Sequence, residues 1–275
     1  MESLPVSVIT LSKNSGETIR DCLDSVQQNS PAEIILIDGD SCDKTVEIAR
    51  NYTDKIYADE GKGLAFARQL GAEMASQEYI AYIDSDVVLP NGALTTMFTE
   101  LQDSRGISIS AQPSPGENNI SYWSQASYEH LKYSVIRRQQ QYLSTMACLL
   151  KRETVIKYRF DTSGYLDDTL LEAKLKKEGY RLAISSVTVC HNHKDDFKNF
   201  MRYRYFLGRL TPYVLAREGL SHIEYWPPLV MLYWLGFCLI RLKPRLIPYF
   251  VMSGIAGTVG MAKGLLDLVL RGRKW

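Results

Sequence analysis

The chain has 275 residues and lacks most of what would mark an extracellular or nucleic-acid-binding protein. Its five cysteines (Cys22, Cys42, Cys148, Cys190 and Cys238) are odd in number, scattered and without metal-ligand spacing. That argues against a disulfide framework or a thiolate metal site and for reduced, mostly buried thiols in a cytosolic protein. Met1 to Pro5 has neither a basic region nor an apolar core, so no signal peptide is expected. Lys+Arg number 32 against 31 Asp+Glu, a formal net charge of +1, which supplies no bulk attraction to nucleic acid. Repeats and low-complexity tracts are absent. The charge is unevenly placed, however. From Ser221 to the end there are seven basic residues and two acids, a net of +5, which leaves −4 on the first 220 residues. A mildly acidic body with a basic, apolar tail suggests a membrane-facing end.

The body alternates. Val6–Leu11, Glu33–Ile37, Lys55–Tyr57 and Tyr79–Ile83 read as strands. Helical segments lie between them, at about 16–28, from Asp43 as a cap to about 51, and within 61–75. Such alternation implies a parallel sheet with helices on both faces. After Asp86 the order loosens. Helices are expected at 91–101, 119–141, 166–178 and 195–216, strands at 107–111, 145–150 and 181–189, and a turn at Pro113–Gly116.

Acids gather where such a sheet presents a crevice, at the carboxyl ends of its strands. Asp84-Ser85-Asp86 follows Tyr79–Ile83, and Asp38 and Asp40 follow the second strand. Two carboxylates one residue apart suit Mg²⁺ or a similar ion that keeps its other positions for water and phosphate oxygens. An isolated pair of this kind also serves as a simple turn cap. Thr10 to Asn14 follows the first strand, Lys62 and Arg68 flank the helix before the fourth, and Asp167-Asp168 opens a later helix.

Taken in this order and spacing, these segments resemble the family 2 glycosyltransferases, which have the GT-A fold, over about residues 5–208. Ile34-Ile35-Leu36-Ile37-Asp38-Gly39-Asp40-Ser41-Cys42-Asp43-Lys44-Thr45 is similar to the family's strand, acids and Asp-x-Thr turn. Gly63-Leu64-Ala65-Phe66-Ala67-Arg68-Gln69-Leu70-Gly71 is similar to its Gly-x-x-x-Ala-Arg-Asn-x-Gly, with Gln69 in place of Asn. The resemblance implies a nucleotide site formed by Thr10, Asn14, Asp38, Asp40, Lys62, Arg68 and Asp84. It implies Asp84 and Asp86 as holders of Mg²⁺ or Mn²⁺, with Asp86 the direct ligand and His191 or His193 beside it. It aligns Asp168 with the family's general base and Asp167 with the acid before it. Arg204, within Met201-Arg202-Tyr203-Arg204-Tyr205, fits a degenerate form of the Gln-x-x-Arg-Trp motif of cellulose-synthase-like members and would meet the diphosphate. Structural readings stand beside these: an Asx-turn for Asp38, an ion pair for Arg68, and a helix N-terminus for Asp167-Asp168.

The implied protein is an α/β enzyme with a GT-A catalytic domain at 1–195, an amphipathic interfacial helix at 196–222 and a membrane module at 223–275. It would be a metal-dependent, inverting hexosyltransferase of mannosyl- or glucosyltransferase type in N-glycan or cell-envelope assembly. Its expected partners are a nucleotide-diphospho-sugar, a polyprenyl-(di)phosphate-linked acceptor and a lipid membrane, with the catalytic domain cytoplasmic. The module's apolar stretches, Pro227–Ile240 and Leu246–Ala262, are short for spans of about 20 residues. They admit a transmembrane hairpin, a pair lying in one leaflet, or buried helices of a soluble domain. Tyr203, Tyr205, Tyr225, Trp226 and Trp275 would suit an interfacial belt. A membrane-attached nucleotide sensor without transferase activity is the competing function.

Overall fold

A computed structural model describes residues 3–116, 121–137, 142–161, 167–192, 196–218 and 226–271. Two compact units form. The first comprises Met1–Asn118 and Leu131–His193, and the second Asn119–His130 and Lys194–Trp275.

The first unit is built on an eight-stranded mixed sheet. Its strands are β1 (Leu4–Ser12), β2 (Pro31–Asp38), β3 (Ile56–Ala58), β4 (Tyr79–Ile83), β5 (Val87–Val88), β6 (Ser108–Pro115), β7 (Ala147–Lys151) and β8 (Leu182–His191). Their spatial order is β3-β2-β1-β4-β7-β6-β8-β5. β3, β2, β1 and β4 run parallel, and β7 enters antiparallel to β4 and β6. The strand run Tyr79–Ile83 is buried at every position, as a central strand covered on both faces requires.

Side chains alternate between two cores. Val6, Val8, Ala81 and Ile83 face one, with Cys22 and Val26 of α1 (Ile19–Gln28) and Leu94 and Met97 of α4 (Ala93–Ser104). Ile9, Leu11, Ile35, Ile37, Ile80 and Tyr82 face the other, with Ala65, Ala67 and Ala72 of α3 (Leu64–Met74). Val155 of α6 (Arg152–Tyr158) and Leu171 and Leu175 of α7 (Asp167–Lys177) join that second core. α3 lies so close to β1 that a Cβ on Gly71 would fall 2.4 Å from Ile9 Cγ2. The short α2 (Thr45–Ala49) starts where Asp43 Oδ1 accepts from Thr45 N at 3.0 Å.

Three local expectations change. Pro113–Gly116 is no turn, because β6 continues to Pro115. By Pro113 the strand has left β7 and pairs only with β8, so the missing proline N–H falls on an unpaired side. β5 and α6 were not expected. A two-residue strand shows no periodicity, and a seven-residue helix shows little.

The second unit contains the first part of α5 (Tyr122–Arg137), α8 (Phe197–Glu218), α9 (Pro227–Ile240) and α10 (Ile247–Arg271), with a 3-10 turn at Pro244–Leu246. Residues 119–130 thus group with the C-terminal helices rather than with the sheet. His130 packs edge-on to Trp234 and Phe250, and those two rings stack at 5.1 Å. α8 and α10 meet backbone to backbone: a Cβ on Gly260 would fall 1.9 Å from Tyr205 O, and one on Gly264 2.2 Å from Arg209 O. Arg209 and Lys263 both pair with Asp267. The segment Pro244–Leu270 is long and apolar enough to cross a membrane by length and composition.

Glu33 of β2 ties the first unit together. It accepts from the Ser76 amide and hydroxyl at 2.6 Å and from the Ser7 hydroxyl, and it pairs with Lys55. Burial alone would raise its pKa, but the hydrogen bonds from Lys55, Ser7 and Ser76 outweigh it and take the carboxyl from 4.5 down to about 2. Glu33→Gln should therefore cost about 1–3 kcal/mol at neutral pH. The stabilisation is complete above the unfolded pKa and is lost as pH falls through the folded one. Denaturation curves of the two proteins should thus converge between pH 4.5 and about 2; a constant gap would remove Glu33 as its source.

Candidate active site

The carboxyl ends of β1, β2, β4 and β8 and the start of β7 bring the sequence-distant acids into one crevice. Asp84 follows β4 directly, its amide donating to Met146 O at 2.9 Å. Asp86 precedes β5, which pairs Val87 with His191. His191 Nε2 stands 3.3 Å from Asp86 Oδ1, and the Asn192 amide donates to Asp86 O at 2.8 Å. Between the acids, Ser85 Oγ lies 2.8 Å from Ser15 Oγ, which links this loop to the one after β1.

Arg68 is the hub. It is 7 % exposed, and its guanidinium donates to Asp167 Oδ2 at 2.6 Å. Burial works against its charge, but Asp167, Asp84 and Asp168 together outweigh that and hold it firmly cationic. Burial pushes the Asp84 carboxyl up to about 6, opposed by Arg68 and aided by the Asp86 charge. Burial also raises Asp168, again opposed by Arg68 and aided by Asp167. Asp168 Oδ1 accepts from its neighbour's amide, Thr169 N, at 2.7 Å, and its residue keeps part of its surface exposed.

The structure places the residues singled out from sequence as follows. Arg68 is turned inward and paired with Asp167. Asp167, 2 % exposed, anchors α7 through that pair. Thr10 is 0 % exposed inside β1 and has no surface for a ligand. Asn14 braces two loops, receiving the Cys42 amide on Oδ1 at 2.9 Å and donating its own amide to Ser41 Oγ at 2.8 Å. Asp38 accepts from the Ser41 amide at 2.9 Å and hydroxyl at 2.6 Å and from Ser12 Oγ at 3.2 Å, so the Asx-turn reading holds for it. Asp40 is exposed in the left-handed region beside it, at φ 59°. Lys62 is exposed, pairs with Glu60 and lies 4.5 Å from the Phe66 ring centroid. Arg204 belongs to the second unit, where it donates to the Tyr249 hydroxyl and lies over that ring. His193 lies outside the described residues.

Sequence reasoning missed the residues that hold Arg68 in place. Tyr82 OH donates to Arg68 O at 2.8 Å, and Gln69 Oε1 accepts from Phe160 N at 3.2 Å. Gln69 carried a signal, since it departs from the family's Asn; Tyr82 carried none beyond being a core aromatic.

Among the described residues no group of three or more His, Cys, Asp or Glu is placed to hold a metal ion. Asp86 with Asp84 and His191 nearby still fits an ion that takes one or two protein donors and the rest from phosphate oxygens and water.

A family model described as glycosyl transferase family 2 matches residues 7–159. The uncharacterized glycosyltransferase YibD of Escherichia coli K12 is 34% identical over 106 residues, 36% of this chain and 31% of that protein. The chain spans about a third of the length of the curated relatives it matches first. The mannosyltransferase PcManGT from Pyrobaculum calidifontis, in complex with GDP-Man and Mn²⁺, is similar with a TM-score of 0.69 at 18% identity, over 97% of this chain and 88% of that one. Glucosyl-3-phosphoglycerate synthase from Mycobacterium tuberculosis, with Mn²⁺, UDP-glucose and phosphoglyceric acid, gives 0.56 at 16% identity, over 74% and 77%. The mixed sheet is thus a GT-A fold.

Arg68→Met leaves the Asp167 carboxylate buried and unpaired, and should cost about 3–5 kcal/mol. Adding Asp167→Leu should recover much of it, because the pair is then replaced by apolar volume. Denaturant midpoints of the three proteins check this; a single variant as stable as the parent would deny the pair its role.

Proposed function

The chain belongs to glycosyl transferase family 2, and from that premise we propose that it is a membrane-associated, inverting hexosyltransferase. It moves one hexose from a nucleotide-diphospho-sugar of GDP-mannose or UDP-glucose type to a polyprenyl-(di)phosphate-linked acceptor, in N-glycan or cell-envelope assembly. The observation that carries this reading is the convergence of Asp84, Asp167 and Asp168 on the single buried guanidinium of Arg68. With Asp167 engaged there, Asp168 is the member of the α7 acid pair that keeps a raised pKa and some surface to offer.

Asp168 takes the proton of the acceptor hydroxyl as its oxygen attacks the anomeric carbon. The bond from that carbon to the diphosphate breaks on the opposite side, and the configuration inverts. Asn14, Asp40 and Lys62, the exposed members of the expected nucleotide site, meet the donor's nucleoside or phosphates. Mg²⁺ or Mn²⁺ held by Asp86, with Asp84 and His191 beside it, would supply positive charge against the leaving diphosphate.

The C-terminal helices support a one-leaflet attachment. At about 1.5 Å per residue, the 14 residues of α9 reach about 21 Å, short of a hydrocarbon core of about 30 Å. Ile255, Val259, Leu266 and Val269 of α10 are exposed at helical spacing, as one stripe. The opposite face carries the glycines that meet α8. The turn between α9 and α10 holds Arg241, Lys243 and Arg245, costly to carry across a bilayer.

Asp168→Asn should abolish transfer while leaving a nucleotide-induced thermal shift intact. The parent's kcat/KM should rise with pH through a pKa above the ordinary 3.8, because the base must be ionised to act. Unchanged turnover in the variant would remove Asp168 as base, and a long homopolymer product would refute single addition. For attachment, a cysteine at Lys243 in a cysteine-depleted chain should react with an impermeant maleimide from the same face as one at Asp54. Reaction only from the opposite face would establish a spanning hairpin.

A further inference from the structure

At the far end of the sheet from the acids, a cleft of about 700 Å³ is lined by basic side chains. Arg105 comes from the α4–β6 turn, Lys151 from the end of β7, Lys157 from α6 and Arg181 from the α7–β8 turn. Glu153 is the one carboxylate in the lining. Arg105, Lys151 and Arg181 make no side-chain hydrogen bond or ion pair with the described residues. Like charges so grouped repel one another, and the arrangement is stabilised when an anion joins them.

The walls are held by backbone. The Ile107 amide donates to Arg181 O at 2.9 Å, and the Lys151 amide to Ile107 O at 3.4 Å. Thr154 also lines the cleft; it is 2 % exposed, and its Oγ1 is buried without a hydrogen-bond partner among the described residues. A buried hydroxyl left unpaired is a cost that a ligand oxygen would remove. Tyr158 and Tyr180, with hydroxyls 3.2 Å apart, form an aromatic side to the cleft.

We propose that this cleft is a second, metal-independent binding site for a phosphoryl or diphosphoryl group on a small soluble molecule. Arg105 and Arg181 meet the oxyanion, with Lys151 beside them and Thr154 donating from below. Guanidinium groups match phosphate oxygens in geometry as well as charge. The tyrosines face whatever the phosphate carries. The site is separate from the acidic crevice: β8 begins beside Arg181 and ends at His191, ten residues or roughly 30 Å away.

Inorganic pyrophosphate, titrated calorimetrically into the full chain in chelator, tests this. Binding should weaken at least about tenfold in Arg105→Ser/Arg181→Ser and in the near-isosteric Thr154→Val, and persist in Asp86→Asn. Absence of metal-free binding at millimolar pyrophosphate, binding unchanged in both cleft variants, or binding lost in Asp86→Asn would each overturn the assignment. So would association with phosphatidic acid vesicles but not with pyrophosphate.

Discussion

A buried guanidinium must be matched by carboxylate, and the pairing of Arg68 with Asp167 is where this chain meets that demand. The partners are 99 residues apart, on α3 and α7, so the bond exists only when both helices lie on the same face of the sheet. Such a pair adds little net stability over apolar packing, but removing one partner is expensive. Its value here is placement. It fixes the first turn of α7, and with it the Asp168 carboxyl, relative to Asp84. Tyr82 on the strand below and Phe160 after α6, whose amide donates to Gln69, clamp the arginine's own helix.

The crevice's electrostatics follow from that placement. One cation serves several carboxylates, so burial leaves Asp84 and Asp168 with raised pKa values while Arg68 stays charged. Such shifts are common where proton transfer or cation binding occurs. Asp86 is set apart on the β5 side, with His191 for company. At the other end of β8 the charge reverses, and Arg105, Lys151 and Arg181 lie together. The unit thus carries acidic and basic groups at opposite ends of the same sheet.

The second unit is held by a different device. Glycines on α10 admit the α8 backbone at distances no side chain would allow, and Asp267 gathers Arg209 and Lys263. Small residues at a helix contact gain dispersion energy without needing water to drive association. The apolar surface of α10 is thereby left on its other face, exposed as a stripe.

Strand–helix alternation, the acids after β2 and β4 and the two apolar C-terminal stretches were all legible in the sequence, because each is a local pattern of period or punctuation. The family resemblance added their order. β5 and α6 were too short to show a period, and Pro113 read as a turn because only pairing with β8 reveals which side of the strand lacks a partner. The site divides the same way. Asp84 and Asp86 stood out as an acid pair closing a strand, and the family resemblance singled out Asp168 and Arg68. Tertiary structure alone decided that Arg68 turns inward to Asp167, that Thr10 is sealed in β1, and that Asp38 is engaged by Ser12 and Ser41. Burial and partnership belong to contacts between segments distant in sequence, and no local pattern encodes them.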